Sequence, residues 1–187
     1  MKKGLLIILS GPSGVGKGTI RKYIVDNFNI NFSYSISMTT RAPRDKEVDG
    51  VDYYFVSQEE FQRNIDEGNF LEWEEFVGNR YGTPRSKVEE LRNQGKNVFL
   101  EIEVNGTMTV LGKCKDALSI FLVPPSMEAL EARIRGRRTE DEATIQGRLS
   151  KARSEMSLAS EYRYVVINDD VDRAAKEIAD IIRANLA

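Results

Sequence analysis

The apolar run LLIIL, Leu5 to Leu9, passes almost directly into GPSGVGKGT, Gly11 to Thr19, and then into IRKYIVDNF. An unbroken apolar run of this length suits a strand covered on both faces. The apolar residues after the turn recur at helical spacing. Between strand and helix stands a turn made almost entirely of backbone. The pattern G-x-x-x-x-G-K spans Gly11 to Lys17. Glycines let such a turn wrap inward, so that successive N–H groups face one anion. The helix that follows directs its positive end at the same point. Lys17 adds a mobile cation for the outer phosphates of a nucleoside triphosphate. No N-K-x-D stretch occurs, which points to ATP rather than GTP as that nucleotide.

The rest of the chain repeats the theme. NVFLEIE (Asn97 to Glu103), LSIFLV (Leu118 to Val123) and YVVIN (Tyr164 to Asn168) read as further buried strands. Helical segments separate them, and VDRAAKEIADIIRANL closes the chain as an amphipathic helix. Buried strands alternating with helices predict an α/β fold, a parallel sheet flanked by helices. Two more polar stretches interrupt it. In the first, YSISMTT (34–40), DYYFV (52–56) and FLEWEEFVG (70–78) read as strands, and SQEEFQRNIDEG as a short helix with a serine cap and a glycine stop. The second contains a helix opening at Ser126 and a long polar helix from about residue 140 to 159. The expected division is a core of 1–33, 85–125 and 156–187, a small mixed subdomain over 34–84, and a helical lid over 126–155.

Composition narrows the chemistry. The 187 residues carry 27 basic and 29 acidic side chains, a net charge of −2, which gives no global attraction to nucleic acid or anionic lipid. No histidine is present, so histidine bases, triads and metal sites are excluded. The one cysteine, Cys114, rules out an intrachain disulfide and is compatible with a reducing, cytoplasmic setting. No run approaches membrane-spanning length.

A second constellation bears on the acceptor. SISMTTRAPR places Ser37, Arg41 and Arg44 within eight residues. Two arginines separated by a turn can clamp one phosphate from two sides, because the planar guanidinium fork matches phosphate oxygens. Tyr53, Glu72, Tyr81 and Thr83 follow. By spacing alone, Tyr53 reads equally as strand packing, Glu72 as a solvated charge, and Tyr81 and Thr83 as loop residues.

Taken together, GPSGVGKGT, SISMTTRAPR, EVDGVDYYFV, FLEWEEF, GNRYGTP, LEIEVNG, GRRTE and VVINDD, in this order, closely resemble guanylate kinase from about Gly4 to Ile182. The resemblance implies reversible transfer of the γ-phosphoryl group of ATP to GMP. It implies ATP contacts from Gly11, Pro12, Ser13, Gly14, Val15, Gly16, Lys17, Gly18 and Thr19, with Arg137 and Asn168. Ser37, Glu72 and Thr83 match the positions that contact guanine, and Arg41, Arg44, Tyr53 and Tyr81 those that hold the GMP phosphate. Lys17, Arg41, Arg137 and Arg148 match the catalytic cations, the last two in the lid. Glu101 and Glu103 fall where the family commonly has Asp-x-Asp beside GMP and the metal. Thr19 stands one place after the usual hydroxyl, because Gly18 follows Lys17. This K-G-T form is similar to that of nucleoside monophosphate kinases, in which Mg²⁺ is held mainly by ATP phosphates and water, with help from Thr19 and Glu101. Asn105 and Arg138 depart from the family's usual glutamine and glycine.

Two other classes share parts of this pattern. Scaffold modules related to guanylate kinase bind phosphopeptides, but typically with a degraded phosphate loop, whereas Lys17 and its glycines are intact here. P-loop kinases for other nucleoside monophosphates share the loop but not the Glu72 constellation. No oligomeric state follows from the sequence.

Overall fold

The computed structural model of the protein describes residues 2–136 and 140–186. Its first elements are β1 (Leu6–Ser10), α1 (Lys17–Asn27), β2 (Ser33–Tyr34), β3 (Met38–Thr39), β4 (Tyr54–Phe55) and α2 (Gln58–Asp66). Next come β5 (Phe70–Phe76), β6 (Asn79–Pro84), α3 (Arg85–Asn93), β7 (Val98–Glu101), α4 (Val104–Lys113) and β8 (Leu118–Val123). The chain ends with α5 (Met127–Gly136), α6 (Glu142–Met156), β9 (Tyr164–Ile167) and α7 (Val171–Asn185). Five strands form one sheet in the order β2-β7-β1-β8-β9, and four form another in the order β4-β3-β6-β5. In the larger sheet β2 with β7, β1 with β8, and β8 with β9 all pair parallel, as the sequence predicts.

The chain divides into two units. One comprises Ile7–Asn31, Glu101–Val104 and Ala117–Ala187. Here β1 and β8 are buried along their whole length and pair from Ile7↔Leu118 to Ser10↔Phe121. The face of α7 carrying Ala174, Ala175, Ile178, Ala179 and Ile182 is buried, the three-and-four spacing of an amphipathic helix. α5 and α6 share a cluster of their own, formed by Leu130, Ile134, Ile145, Leu149 and Ala152, with Met127 packed against it. Asp141 starts α6 by accepting a hydrogen bond from the Thr144 N–H at 2.8 Å. β9 differs from expectation. It is the outermost strand, and Val165 and Ile167 are 46% and 48% exposed. A short apolar run reads the same whether its strand lies at the centre or the edge.

The other unit comprises Met1–Leu6, Phe32–Leu100 and Asn105–Asp116. The segment read as one strand over 34–40 is two. β2 pairs with β7, and β3 joins the four-stranded sheet. The alternation carries through both pieces, so periodicity cannot reveal that the strand changes sheets between them. GNRYGTP, which reads as loop, supplies β6, antiparallel to β5 with Glu72 opposite Thr83, Trp73 opposite Gly82 and Glu74 opposite Tyr81. The reversal uses Val77 and Gly78, with φ of 50° and 73°. Two left-handed residues give the twist a two-residue hairpin needs, and valine conceals that signal. Ser57 caps α2 by accepting from the Glu60 N–H at 3.1 Å, and Gly68 ends it, both as expected.

Arg92 of α3 is 2% exposed. Its Nε donates to the Gly4 carbonyl at 2.9 Å, and its Nη atoms reach Glu89 and Asp116. Arg92→Leu leaves the Gly4 carbonyl without this donor. Both carboxylates keep access to water, so the loss stays below that of an orphaned buried charge. We expect about 2 kcal/mol of destabilisation in denaturant unfolding; an unchanged midpoint would contradict it.

Candidate active site

The phosphate loop forms where β1 ends. A Cβ on Gly11 would fall 2.4 Å from the Leu122 carbonyl oxygen, so only glycine lets the backbone pass this close to β8. Gly16 has φ 101°, a left-handed residue from which α1 starts. No side chain caps α1 among the described residues. Its first N–H groups therefore suit an anion. Lys17 donates to the loop's own carbonyls, to Gly11 at 2.7 Å and Pro12 at 3.5 Å. Burial pushes the Lys17 amine below its ordinary range, while Glu103, Glu101 and Glu155 pull it back up.

α5, α6 and the end of β9 brace this loop. Arg148 donates to Ser13 Oγ at 2.7 Å and pairs with Glu140 at 2.6 Å. Asn168 Nδ2 donates to the Val15 carbonyl at 2.8 Å, and Arg133 donates to the same carbonyl at 3.1 Å and to that of Asn168 at 2.8 Å. A Cβ on Gly14 would lie 3.1 Å from Ile134, so the loop also packs on the α5 side chains. Sequence reasoning missed Arg133. Its acceptors are backbone carbonyls, which leave no residue pattern, and it reads as an ordinary helix arginine. Arg137 and Arg138 lie outside the described residues.

Glu101 and Glu103 fall in the same unit as the loop. Glu101 Oε2 pairs with Arg21 at 2.9 Å, and its Oε1 would lie 3.7 Å from a Cβ on Gly18. Glu103 pairs with Lys151 at 3.2 Å. Thr19 is exposed on the first turn of α1. Thr19 and Glu101 are hard oxygen donors beside the anion-binding turn, a donor set that fits Mg²⁺.

The other unit gathers Glu72, Thr83, Tyr81, Tyr53, Arg41 and Arg44. Cross-strand partners share a sheet face, so Glu72, Thr83, Glu74 and Tyr81 lie on one face of the β5–β6 hairpin. A register shift between Phe70 and Glu72 marks where β5 becomes irregular, directly before the carboxylate. Thr83 Oγ1 donates to Glu72 Oε1 at 2.6 Å. On the other oxygen, a Cβ on Gly106 would stand only 3.0 Å from Oε2, so α4 presents bare backbone to the carboxylate. Lys113 ties α4 to β5 through the carbonyls of Phe70 and Leu71, at 2.8 and 3.0 Å. Burial raises the Glu72 pKa. Thr83 and Lys113 oppose that shift, and Glu74 reinforces it.

Two residues along β6, roughly 7 Å from Thr83, Tyr81 meets Tyr53 edge-on at 6.2 Å between ring centroids. The Arg41 guanidinium lies 5.3 Å from the Tyr53 ring centroid and 5.9 Å from that of Phe55. Arg44 is exposed nearby in sequence, and its backbone N–H donates to Glu47. Ser37 is half-buried, and its carbonyl accepts from the Tyr54 N–H at 2.9 Å. The spacing that leaves Glu72 and Tyr53 ambiguous is thus resolved by contact. Glu72 is not a solvated charge, and Tyr53 meets both an arginine and Tyr81.

A parallel sheet with a glycine-rich anion turn between its first strand and helix defines a P-loop nucleotide-binding protein. The chain matches the guanylate kinase family over residues 3–185. It is 52% identical to the guanylate kinase of Enterococcus faecalis over 97% of this chain and 89% of that one. The guanylate kinase of Mesoplasma florum is 53% identical over 96% of this chain, which spans 61% of that longer relative. The crystal structure of guanylate kinase from Anaplasma phagocytophilum superposes with a TM-score of 0.73 at 34% identity, covering 100% of this chain and 88% of that one. Shikimate kinase from Bacteroides thetaiotaomicron shares the fold alone, with a TM-score of 0.51 at 13% identity, covering 96% of this chain and 98% of that one. The chain belongs to the guanylate kinase family. No helix among the described residues is long and apolar enough to cross a membrane.

Proposed function

We infer that this protein transfers the γ-phosphoryl group of ATP to GMP, giving ADP and GDP, and that it runs the reverse reaction. The observation that carries this reading is the half-buried Glu72 carboxylate between Thr83 and the bare backbone of Gly106. Guanine offers two adjacent donors on its Watson–Crick edge, and a carboxylate offers two acceptors in one plane. Ser37 serves the remaining base edge. Arg41, Arg44, Tyr53 and Tyr81 hold the acceptor phosphate.

On the donor side, Gly11 to Thr19 cradle the ATP phosphates and Lys17 moves from its loop carbonyls to their oxygens. Asn168 is 3% exposed, and its Oδ1 is buried with no hydrogen-bond partner among the described residues. An orphan acceptor there suits a donor such as the adenine amino group. Guanine would present an oxygen in its place. This supports ATP as the donor nucleotide. Mg²⁺ enters with ATP and neutralises phosphate charge; Thr19 and Glu101 are the residues that would help hold it. We assign Glu101 and Glu103 a part in binding GMP.

Phosphoryl transfer needs two anions in line and little covalent chemistry from the protein. The acceptor is already a phosphate oxygen, so no general base is required, in keeping with a chain without histidine. Arg41 and Arg44 neutralise the acceptor, Lys17 and the loop amides the donor. Arg148, already bonded to Ser13 of the loop, and Arg137 stabilise the charge that spreads over the moving group. Water must be kept out, a task we assign to segments 126–155 and 34–84. We assign the protein to the cytoplasm, where ATP and GMP are available.

The test is ADP release from ATP mixed with each nucleoside monophosphate in turn. GMP should give turnover far above AMP, UMP and CMP. Equal rates, or none with GMP, would overturn the reading.

A further inference from the structure

Glu47 opens the EVDGVDYYFV stretch but carries no role from motif or spacing, yet the acceptor-side loop closes around it. Its Oε1 accepts from Arg41 Nη2 at 2.9 Å and its Oε2 from Arg41 Nη1 at 3.0 Å. Oε2 also accepts from the Arg44 backbone N–H at 2.7 Å. The pair is shielded, with side-chain exposures of 14% for Arg41 and 20% for Glu47. Lys46, immediately before it, has φ 70°, a left-handed conformation unusual for a residue with a side chain. The backbone turns sharply here, and the Glu47 N–H returns to the Arg44 carbonyl at 3.1 Å.

Two roles are open to a carboxylate on a phosphate-binding arginine. It can occupy the place of the phosphate and have to leave, or it can hold the arginine while the phosphate uses other N–H groups. The bonding separates them. A displaceable carboxylate gains nothing from a third bond to backbone. Glu47 has one, within the same seven-residue Arg41–Glu47 loop that carries both arginines. The guanidinium has five N–H donors. Glu47 takes two and the Ala42 carbonyl one, at 2.8 Å. The nearby Tyr81 hydroxyl also favours the charged form of the guanidinium. The fork is thus fixed from one side with donor capacity remaining, and its pKa is pushed further up by the Glu47 bonds.

We propose that Glu47 is a positioning residue for the acceptor phosphate. It locks the Arg41 guanidinium in plane and shapes the Arg41–Glu47 turn so that Arg41 and Arg44 meet the phosphate without prior ordering. Freezing a long side chain before binding spares that entropy at the moment of binding. The proposal rests on the reading of Arg41 and Arg44 as the phosphate clamp.

The experiment is calorimetric titration of GMP and of guanosine, which lacks the phosphate, into the native protein and the Glu47→Gln, Glu47→Asp and Arg44→Ala variants. ATP affinity and thermal unfolding are measured on each. In Glu47→Gln one bidentate arm and the charge are lost, and GMP should bind about tenfold more weakly. Guanosine and ATP affinities should not move, and steady-state kinetics should place the loss in KM for GMP rather than in kcat. Glu47→Asp keeps the charge and should recover part of the affinity. Tighter GMP binding in Glu47→Gln would identify a competing carboxylate and overturn the proposal. So would unchanged GMP affinity while Arg44→Ala weakens it. Guanosine binding as tightly as GMP to the native protein, with Arg44→Ala silent, would instead overturn the clamp on which the proposal rests.

Discussion

Lys17→Met should abolish phosphoryl transfer and leave the fold intact. The amine is anchored on the Gly11 and Pro12 carbonyls, inside the loop that is to receive the phosphates. Removing one preorganised cation from a transition state that is almost entirely electrostatic costs about 10²–10³-fold or more in kcat. The stability effect has the opposite character. Burial holds the Lys17 pKa below its ordinary 10.5. A group whose pKa is depressed on folding is disfavoured in its charged form at pH 7, and it contributes stability only where it is neutral. Methionine removes that cost and keeps the aliphatic stem, but loses the bond to Gly11. The expected net change is within about 1 kcal/mol. The check is a single-turnover assay beside a thermal melt. Near-normal turnover would remove Lys17 from the donor site.

The donor-side and acceptor-side residues are unequally legible in the sequence. The phosphate loop is contiguous, and its glycine spacing between strand and helix shows in the sequence, although the close approach to the Leu122 carbonyl that demands glycine at Gly11 does not. The acceptor side is scattered over the residue before β3, the loop between β3 and β4, β5 and β6. Its meaning depends on register. Glu72 faces Thr83 because β5 shifts register just before it, and GNRYGTP is a strand because Val77 accepts a left-handed φ. Neither event has a residue pattern. Resemblance to the family therefore pointed to Glu72, Tyr81 and Thr83, where spacing had left them open.

The residues to which resemblance gave no role have a common character. Arg133, Glu47 and Gly106 act on backbone or on another side chain of the site. Arg133 holds the Val15 carbonyl, and Gly106 matters for the side chain it lacks. Such contacts are set by three-dimensional approach rather than by a residue type at a fixed interval. The same holds for β9, whose apolar run gives no sign that it is an edge.

Glu72→Gln is expected to damage GMP phosphorylation severely and to shift preference toward AMP. The carboxylate offers acceptors only. Oε1 already receives the Thr83 hydroxyl at 2.6 Å, and both oxygens have lone pairs left for the guanine N1–H and amino group. An amide keeps one acceptor and presents an N–H₂ in place of the other. That donor opposes a guanine donor in a buried place, whereas adenine N1, a bare acceptor, can receive it. Selectivity built on an unpaired or clashing buried polar group is large. A loss of about 10²–10³-fold in kcat/KM for GMP follows, with a smaller loss or a gain for AMP. Stability should respond to pH in a definite sense. Burial raises the Glu72 pKa above its ordinary 4.5. Below that ordinary value the carboxyl is neutral in both folded and unfolded chains, and the native protein should match the variant. As pH rises through the folded pKa the native protein must ionise a partly buried group, and its stabilising contribution is lost. The variant, which never ionises, should therefore become the more stable of the two, with a gap that opens above the ordinary carboxylate range and then levels off. Steady-state kinetics with GMP and AMP, together with melting temperatures from pH 4 to 8, test both parts. An unchanged GMP-to-AMP preference would mean that Glu72 does not read the base, and an unchanged melting difference across that range would mean that its carboxylate is not held away from water.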